Sequence, residues 1–417
     1  MKPEGAQVVV VGGGPAGAAT AWALARNGVD VLVLDRARFP RAKPCSEYLS
    51  PQASRILSEM GALDAIERAG AAELAGMTIH APSGVSFEGR FASTAHGYRG
   101  FRDRGLALRR ELLDDIILGA ARAAGARVSE AERVTGLLRD AAGRVTGVRV
   151  ANADSRTGAR DIVARIVVGA DGLHSVVARR LGLVRHARWP QRWAFVSHYR
   201  GVSDMGDCGE MHVSREEYCG LADVGSGITN VALVVPQPLA GTARGDLEAF
   251  FDRRLATHPA VASRFARAER ISPVRATGPF ASSTRRAWHP GAALVGDAAE
   301  FFDPFTGEGI YTALRGGELL GPYVHAALHA PNRREADAAL AAYDRCRRRE
   351  FAGKWRVERL VALAVGVSPI LNRVARVLAR RRHLADLLVG VAGDFVPARE
   401  LLRPRFLLQL LAPLGSL

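Results

Sequence analysis

The order of apolar and polar residues marks the elements of this chain before anything else is considered. Val8 to Val11 is an unbroken β-branched run that stops at Gly12, an Ala- and Leu-rich stretch continues to Asn27, and Gly28 leads into a second apolar run, Val29 to Leu34. This spells strand, tight turn, helix, strand. Ile56, Leu57, Met60, Leu63 and Ile66 recur at helical spacing, residues 76–101 read as short strands, and Arg109 to Ala124 carries an amphipathic helical pattern. Arg127 to Val150 reads as strands around the turn Ala142-Gly143-Arg144, and Ile162 to Val168 as a buried strand leading into Gly169-Ala170-Asp171-Gly172. From 190 to 275 longer strands dominate, such as Trp193 to Tyr199 and Ile228 to Val235, with one helix near 245–256. Ala292 to Val295 is again a short buried strand and Gly309 to Leu320 a helix, and the remainder is helical with breaks near Pro369, Pro397 and Pro404.

Composition narrows this picture. With 417 residues, 48% hydrophobic and 24% charged, the chain has room for two or three domains and a large core, which excludes a disordered or disulfide-held mini-protein. The balance of 57 basic against 42 acidic residues gives +15, and only Lys2, Lys43 and Lys354 of the basic residues are lysine. Such an arginine skew beside abundant alanine reflects a composition bias, and with no clustered aromatic and basic recognition motif no nucleic-acid partner is expected. Residues 331–417 alone hold seventeen basic and eight acidic side chains. Cys45, Cys208, Cys219 and Cys346 form no CxxC pair, so neither a metal site nor a disulfide framework is expected, and a reducing cytoplasm fits best. The N-terminal apolar run is broken at once by glycines, unlike a secretory signal, and the uncharged run Leu360 to Asn372 is too short to span a bilayer.

Gly12-Gly13-Gly14-Pro15-Ala16-Gly17 fits GxGxxG and sits directly after a strand and at the start of a helix. Gly12 permits the turn, Gly14 lets backbone approach a pyrophosphate, and Gly17 lets helix and strand pack closely. Asp35 ends the second strand about twenty residues on, where a carboxylate accepts from ribose hydroxyls. The fingerprint by itself does not separate NAD from FAD.

Leu294-Val295-Gly296-Asp297-Ala298-Ala299, followed by Asp303-Pro304-Phe305-Thr306-Gly307-Glu308-Gly309-Ile310 and a helix, resembles the ribityl-binding GD motif of the geranylgeranyl reductase-like and flavoprotein aromatic hydroxylase superfamily. Gly169-Ala170-Asp171-Gly172 with the stretch to Arg179 is similar to its DG motif, and Phe39 to Pro51 to the segment after the first βαβ unit, with Cys45-Ser46-Glu47 where Cys-Gly-Glu is usual. The resemblance covers about residues 7–330. It implies an α/β fold: a discontinuous Rossmann-like FAD-binding domain (1–75, 99–185 and 276–330), a β-sheet substrate domain (76–98 and 186–275) and a C-terminal helical cap (331–417). It also implies that Asp297 accepts from a ribityl hydroxyl, that Gly307, Gly309 and Ile310 place backbone N–H groups beside the flavin, and that Arg36, Cys45, Arg110, Val134 and Asp171 join the FAD site. The neighbouring Arg109 is an alternative to Arg110.

What the superfamily implies for activity is NAD(P)H-dependent oxidation chemistry, first of all monooxygenation of an aromatic or lipophilic metabolite through a flavin C4a-hydroperoxide, with NADPH or NADH as transient donor. The alternative is reduction of carbon–carbon double bonds in a prenyl lipid. Against it stands Tyr218-Cys219-Gly220-Leu221-Ala222-Asp223, where the reductase branch commonly has Tyr-x-Trp-x-x-Pro, so a large apolar wall is missing there. Cys45 and Glu47 are the catalytic candidates, each with a competing structural reading, and His198 and His212 fall on the substrate sheet, where a structural role is the commoner one. In the tail, Leu360, Val361, Leu363, Ile370, Leu371, Val374 and Leu378 alternate with Arg373, Arg376 and Arg380 to Arg382. That pattern suits a helical cap, or peripheral contact with an anionic membrane.

Overall fold

The computed structural model describes residues 5–152, 158–186, 189–215, 217–243 and 245–411, so the ends of the first domain (1–4) and of the cap (412–417) lie outside the described residues. Five strands form a parallel core in the order Ala292–Leu294, Arg160–Gly169, Gly5–Val11, Val31–Leu34 and Arg127–Ser129. Its central residues, Val8–Val11, Val31–Leu34 and Ile166–Val168, are mostly β-branched and all buried, which is what a parallel sheet covered by helices requires. Helices Pro15–Ala25 and Gly309–His329 pack on each other beside this sheet, and Arg110–Ala123 packs on the first of them. The expected helix at 50–70 is two, Ala53–Glu59 and Leu63–Arg68, divided at Gly61.

A second, mostly antiparallel sheet runs Arg192–Arg200, Ile228–Pro236, Tyr218–Asp223, Cys208–Val213, Gly76–His80 and Ser86–Arg90. Side chains alternate faces along a strand. Val196, Met211, Tyr218 and Val234 therefore enter one apolar cluster with the C-terminal helices, while Phe195, Leu221, Val231 and Leu233 enter another with Phe250 and Phe251 of helix Leu247–Leu255. The molecule is thus an α/β fold: a Rossmann-like domain assembled from separated segments, a second, mostly antiparallel sheet and a helical C-terminal region.

The helix beginning at Gly309 continues past the expected Leu320 to His329 through Pro322. Packing outweighs the lost hydrogen bond, because Gly317 and Gly321 lie so close to the Pro15–Ala25 helix that a Cβ on them would stand 2.7 Å from the Thr20 backbone nitrogen and 3.0 Å from the Ala23 Cβ. The tail forms helices Arg333–Gly366, Ser368–Arg380, Arg382–Ala392 and Pro404–Leu411. Pro369 and Pro404 sit in the first turns of their helices, where a missing N–H costs nothing.

Candidate active site

The Gly12 backbone adopts φ +102°, and a Cβ there would lie 2.5 Å from the Ala170 carbonyl oxygen. Only glycine turns the chain at this point. Gly14 begins the Pro15–Ala25 helix without any side-chain cap, and a Cβ on it would meet nothing closer than an Arg41 guanidinium nitrogen at 3.5 Å. The helix N-terminus is therefore open, with donors directed outward. Asp35 is held at the strand end by the Gly13 and Ala37 N–H groups, at 2.8 and 2.9 Å, one to each carboxylate oxygen, which leaves each oxygen a further lone pair for a ribose.

One cavity of about 1420 Å³ runs from this loop to the cap. Gly12, Gly14, Pro15, Ala16, Asp35, Arg36, Cys45, Arg110, Val134, Asp171, Asp297, Gly307, Gly309 and Ile310 all line it. Three stretches of chain nearly 300 residues apart thus converge on one crevice. Gly17 lies behind the lining, where it brings the helix against the Gly12 carbonyl. Asp297 borders the cavity with its carboxylate 3.7 Å from the Lys43 ammonium. Gly307, at φ +72°, closes the turn 304–306, and helix Gly309–His329 starts from it, so its first N–H groups face the cavity.

Arg110 is buried and forms a bidentate pair with Asp114 at 2.7 Å, while Arg109 points away toward Glu111 and borders a small side cavity. Asp171 accepts from the Ser175 hydroxyl and from the Val176 and Val177 N–H groups, so its carboxylate caps the short helix Val176–Arg180 while its residue borders the crevice. Burial raises its pKa.

Glu47 is absent from the main cavity lining and borders the side cavity instead. Its carboxylate accepts from the Arg110 N–H at 2.8 Å and the Asn230 side-chain amide at 2.9 Å, and lies 2.8 Å from the His198 Nε2. These three contacts join the Arg110 helix to the substrate sheet. This is a structural junction, and it also accounts for His198, whose other ring nitrogen meets the Ser272 hydroxyl. Cys45 lines the cavity, with its sulfur accepting from the Glu47 N–H at 3.3 Å. His212 stacks on His80 with ring centroids 4.2 Å apart and meets Glu210 at 2.8 Å, but both Glu210 oxygens also belong to Arg264, so the group is an ion-pair network.

Sequence reasoning missed the far end of the cavity, where the loop 300–309 meets the long helix Arg333–Gly366. Phe301, Phe305, Phe351 and Trp355 give it an aromatic wall, and Glu300, Asp303, Glu308 and Glu358 border it. Asp303 is paired with Arg192 at 2.9 Å and accepts from the Tyr218 hydroxyl at 2.8 Å. Lys354 reaches Glu308 at 2.9 Å and Asp394 more closely still, over the face of Tyr311. Half-buried Glu358 is pushed up to about 8, first by desolvation and then by the charge of Glu308. The one available signal was Lys354 itself, one of three lysines in an arginine-rich chain.

An open helix N-terminus, a carboxylate with free acceptor capacity at a strand end and a second glycine-rich helix start on one crevice define a dinucleotide-binding oxidoreductase fold, and these residues suit the phosphates, ribose and ring edge of FAD. A family model described as FAD binding domain matches residues 5–355. The chain belongs to that family and to the geranylgeranyl reductase-like and flavoprotein hydroxylase superfamily, and it is an FAD-dependent oxidoreductase. It is 31% identical over 321 residues to digeranylgeranylglycerophospholipid reductase 2 of Methanopyrus kandleri, covering 75% of each chain. It is 27% identical over 406 residues to the menaquinone reductase of Mycolicibacterium smegmatis, covering 94% of this chain and 92% of that one. A flavin-dependent brominase has the same fold, with TM-score 0.80 at 19% identity over 94% of both chains.

Proposed function

We propose that this chain is an FAD-dependent reductase that saturates a carbon–carbon double bond in a prenyl-bearing lipophilic substrate, with NADPH or NADH as the donor. The observation that carries this reading is the aromatic chamber continuing from the flavin loop. Gly220 and Asp223 stand where the reductase branch has its tryptophan and proline, and Phe301, Phe305, Phe351 and Trp355 line the same cavity and supply an aromatic wall there. Relatives named as prenyl-lipid and quinone reductases support the same ordering, which places reduction ahead of the monooxygenation that the motifs alone put first.

Bound FAD supplies the reducing equivalents as hydride. The open helix N-terminus would hold its phosphates, Asp35 its ribose, and the N–H groups of Gly307 to Ile310 the ring edge. Saturating a double bond adds one hydride and one proton, and Glu358, protonated at neutral pH and bordering the chamber, is the group that gives the proton and becomes a carboxylate. Glu358→Gln is expected to lower kcat about a hundredfold with KM little changed, and to remove the fall in kcat expected of the unmodified protein above about pH 8. Equal kcat in the two proteins across that range would remove Glu358 from the mechanism.

Turnover under strict anaerobiosis, with NADPH oxidised as a prenylated quinone or glycerolipid is reduced, tests the reading itself. Coupled turnover without oxygen supports it. A strict requirement for oxygen overturns it in favour of monooxygenation.

A further inference from the structure

Beyond Trp355 the long cap helix carries Leu360 and Leu363 to Gly366, where the chain bends by 109° into Ser368–Arg380. Leu360, Leu363 and Val367 stand at helical spacing, Ile370 follows on the second arm, and Trp189 lies with a ring carbon 3.5 Å from where a Gly366 Cβ would be. These five are 38–52% exposed and make up most of the nine large apolar side chains left open to solvent among the described residues. Scattered exposed leucines are ordinary, but a contiguous patch marks a contact.

Charge says what the contact is with. From Arg359 to Ala385 there is no Asp or Glu, and that stretch holds six arginines. A second copy of this chain would bring those arginines face to face. No single helix among the described residues is long and apolar enough to cross a membrane, and the two arms of the elbow, which reach that measure only together, are bent by 109° at their junction. An exposed apolar elbow on a stretch that carries arginines and no acid matches the interface of an anionic bilayer, with apolar groups at the acyl boundary and guanidinium groups among the headgroups.

We infer that the Gly366 elbow docks this protein on the surface of an anionic lipid bilayer. The inference goes beyond the reductase reading and does not depend on it. If that reading holds, docking also sets the chamber beside the lipid, since the Arg359 guanidinium lies over the Phe302 ring and Phe302 lines the chamber.

The test is co-sedimentation of the FAD-loaded full chain with vesicles of phosphatidylcholine, with and without phosphatidylglycerol. Binding is expected only to the anionic vesicles. The double variant Leu363→Ser with Ile370→Ser, which keeps every charge, is expected to bind about tenfold or more weakly, and Arg373→Gln with Arg376→Gln to lose about fivefold per arginine. Phe101→Ser, an exposed apolar residue outside the elbow, is expected to change nothing. Flavin content measured in every variant separates loss of docking from loss of fold. Equal binding to neutral vesicles, or full binding by the serine variant, overturns the inference, because attraction of a +15 protein to an anionic surface needs no apolar elbow. So does a dimer in light scattering that the serine variant dissolves. None of these results touches anaerobic turnover, which tests the other reading alone.

Discussion

Gly17→Ala is expected to leave the protein nearly colourless after incubation with FAD and to lower its melting temperature by several degrees. A Cβ at Gly17 would stand 1.8 Å from the Gly12 carbonyl oxygen and 3.3 Å from the Ala170 Cβ. The first obstacle is backbone, so no side chain can swing aside. The helix must move off the strand that feeds it, and overpacking of this kind costs roughly 1–3 kcal/mol, or about 2–4 °C for each kcal/mol in a large domain. The same shift carries the N-terminal donors away from the pyrophosphate. Gly14→Ala separates the two effects, because its Cβ opens toward the cavity at φ −72° and meets only the Arg41 side chain. It is expected to melt like the parent without cofactor, yet to bind FAD at least about tenfold more weakly through the loss of close phosphate approach. Thermal melts with and without FAD, together with the visible flavin spectrum, check both. Normal flavin content in Gly17→Ala would mean that helix and strand do not meet in this register.

Local signals carried most of what was legible in the sequence. The βαβ unit was readable because Val8 to Val11, the glycines and Asp35 state its periodicity and turn chemistry within thirty residues, and the order of the later motifs implied the FAD-binding fold and cofactor. What pairing across the chain decides was less visible. Glu47 looked as chemical as Cys45 in sequence, and only the approach of Asn230 and His198 from the substrate sheet turns its carboxylate into a junction. The chamber wall was hidden for the same reason. Phe351 and Trp355 are ordinary apolar positions of a tail helix until the fold lays that helix over the loop 300–309.

The largest effect outside the fingerprint is expected from Lys354→Met. Lys354 is the cation between Glu308 and Asp394, whose side chains are 5% and 0% exposed. Its removal leaves two buried carboxylates facing each other, and breaking such a group costs about 3–5 kcal/mol. The loss depends on pH in a defined direction. Burial already raises both carboxylate pKa values in the parent, and without the ammonium they rise further. A carboxyl whose folded pKa is raised stabilises the fold below the pKa of the unfolded chain, near 4.3 for glutamate, and loses that stabilisation as pH climbs through the folded value. The variant is therefore expected to fall further behind the parent from about pH 5 to pH 8, as two buried carboxylates with no ammonium beside them are forced to ionise. Because Glu308 lies between Gly307 and Gly309, FAD affinity should weaken along with stability. Replacing both carboxylates as well, by adding Glu308→Gln and Asp394→Asn to Lys354→Met, should restore the melting temperature and flatten its pH dependence. Melts of the parent, the single variant and the triple variant across that pH range are the check, and a single variant that tracks the parent at every pH would show that the ammonium is not what holds the cap to the flavin loop.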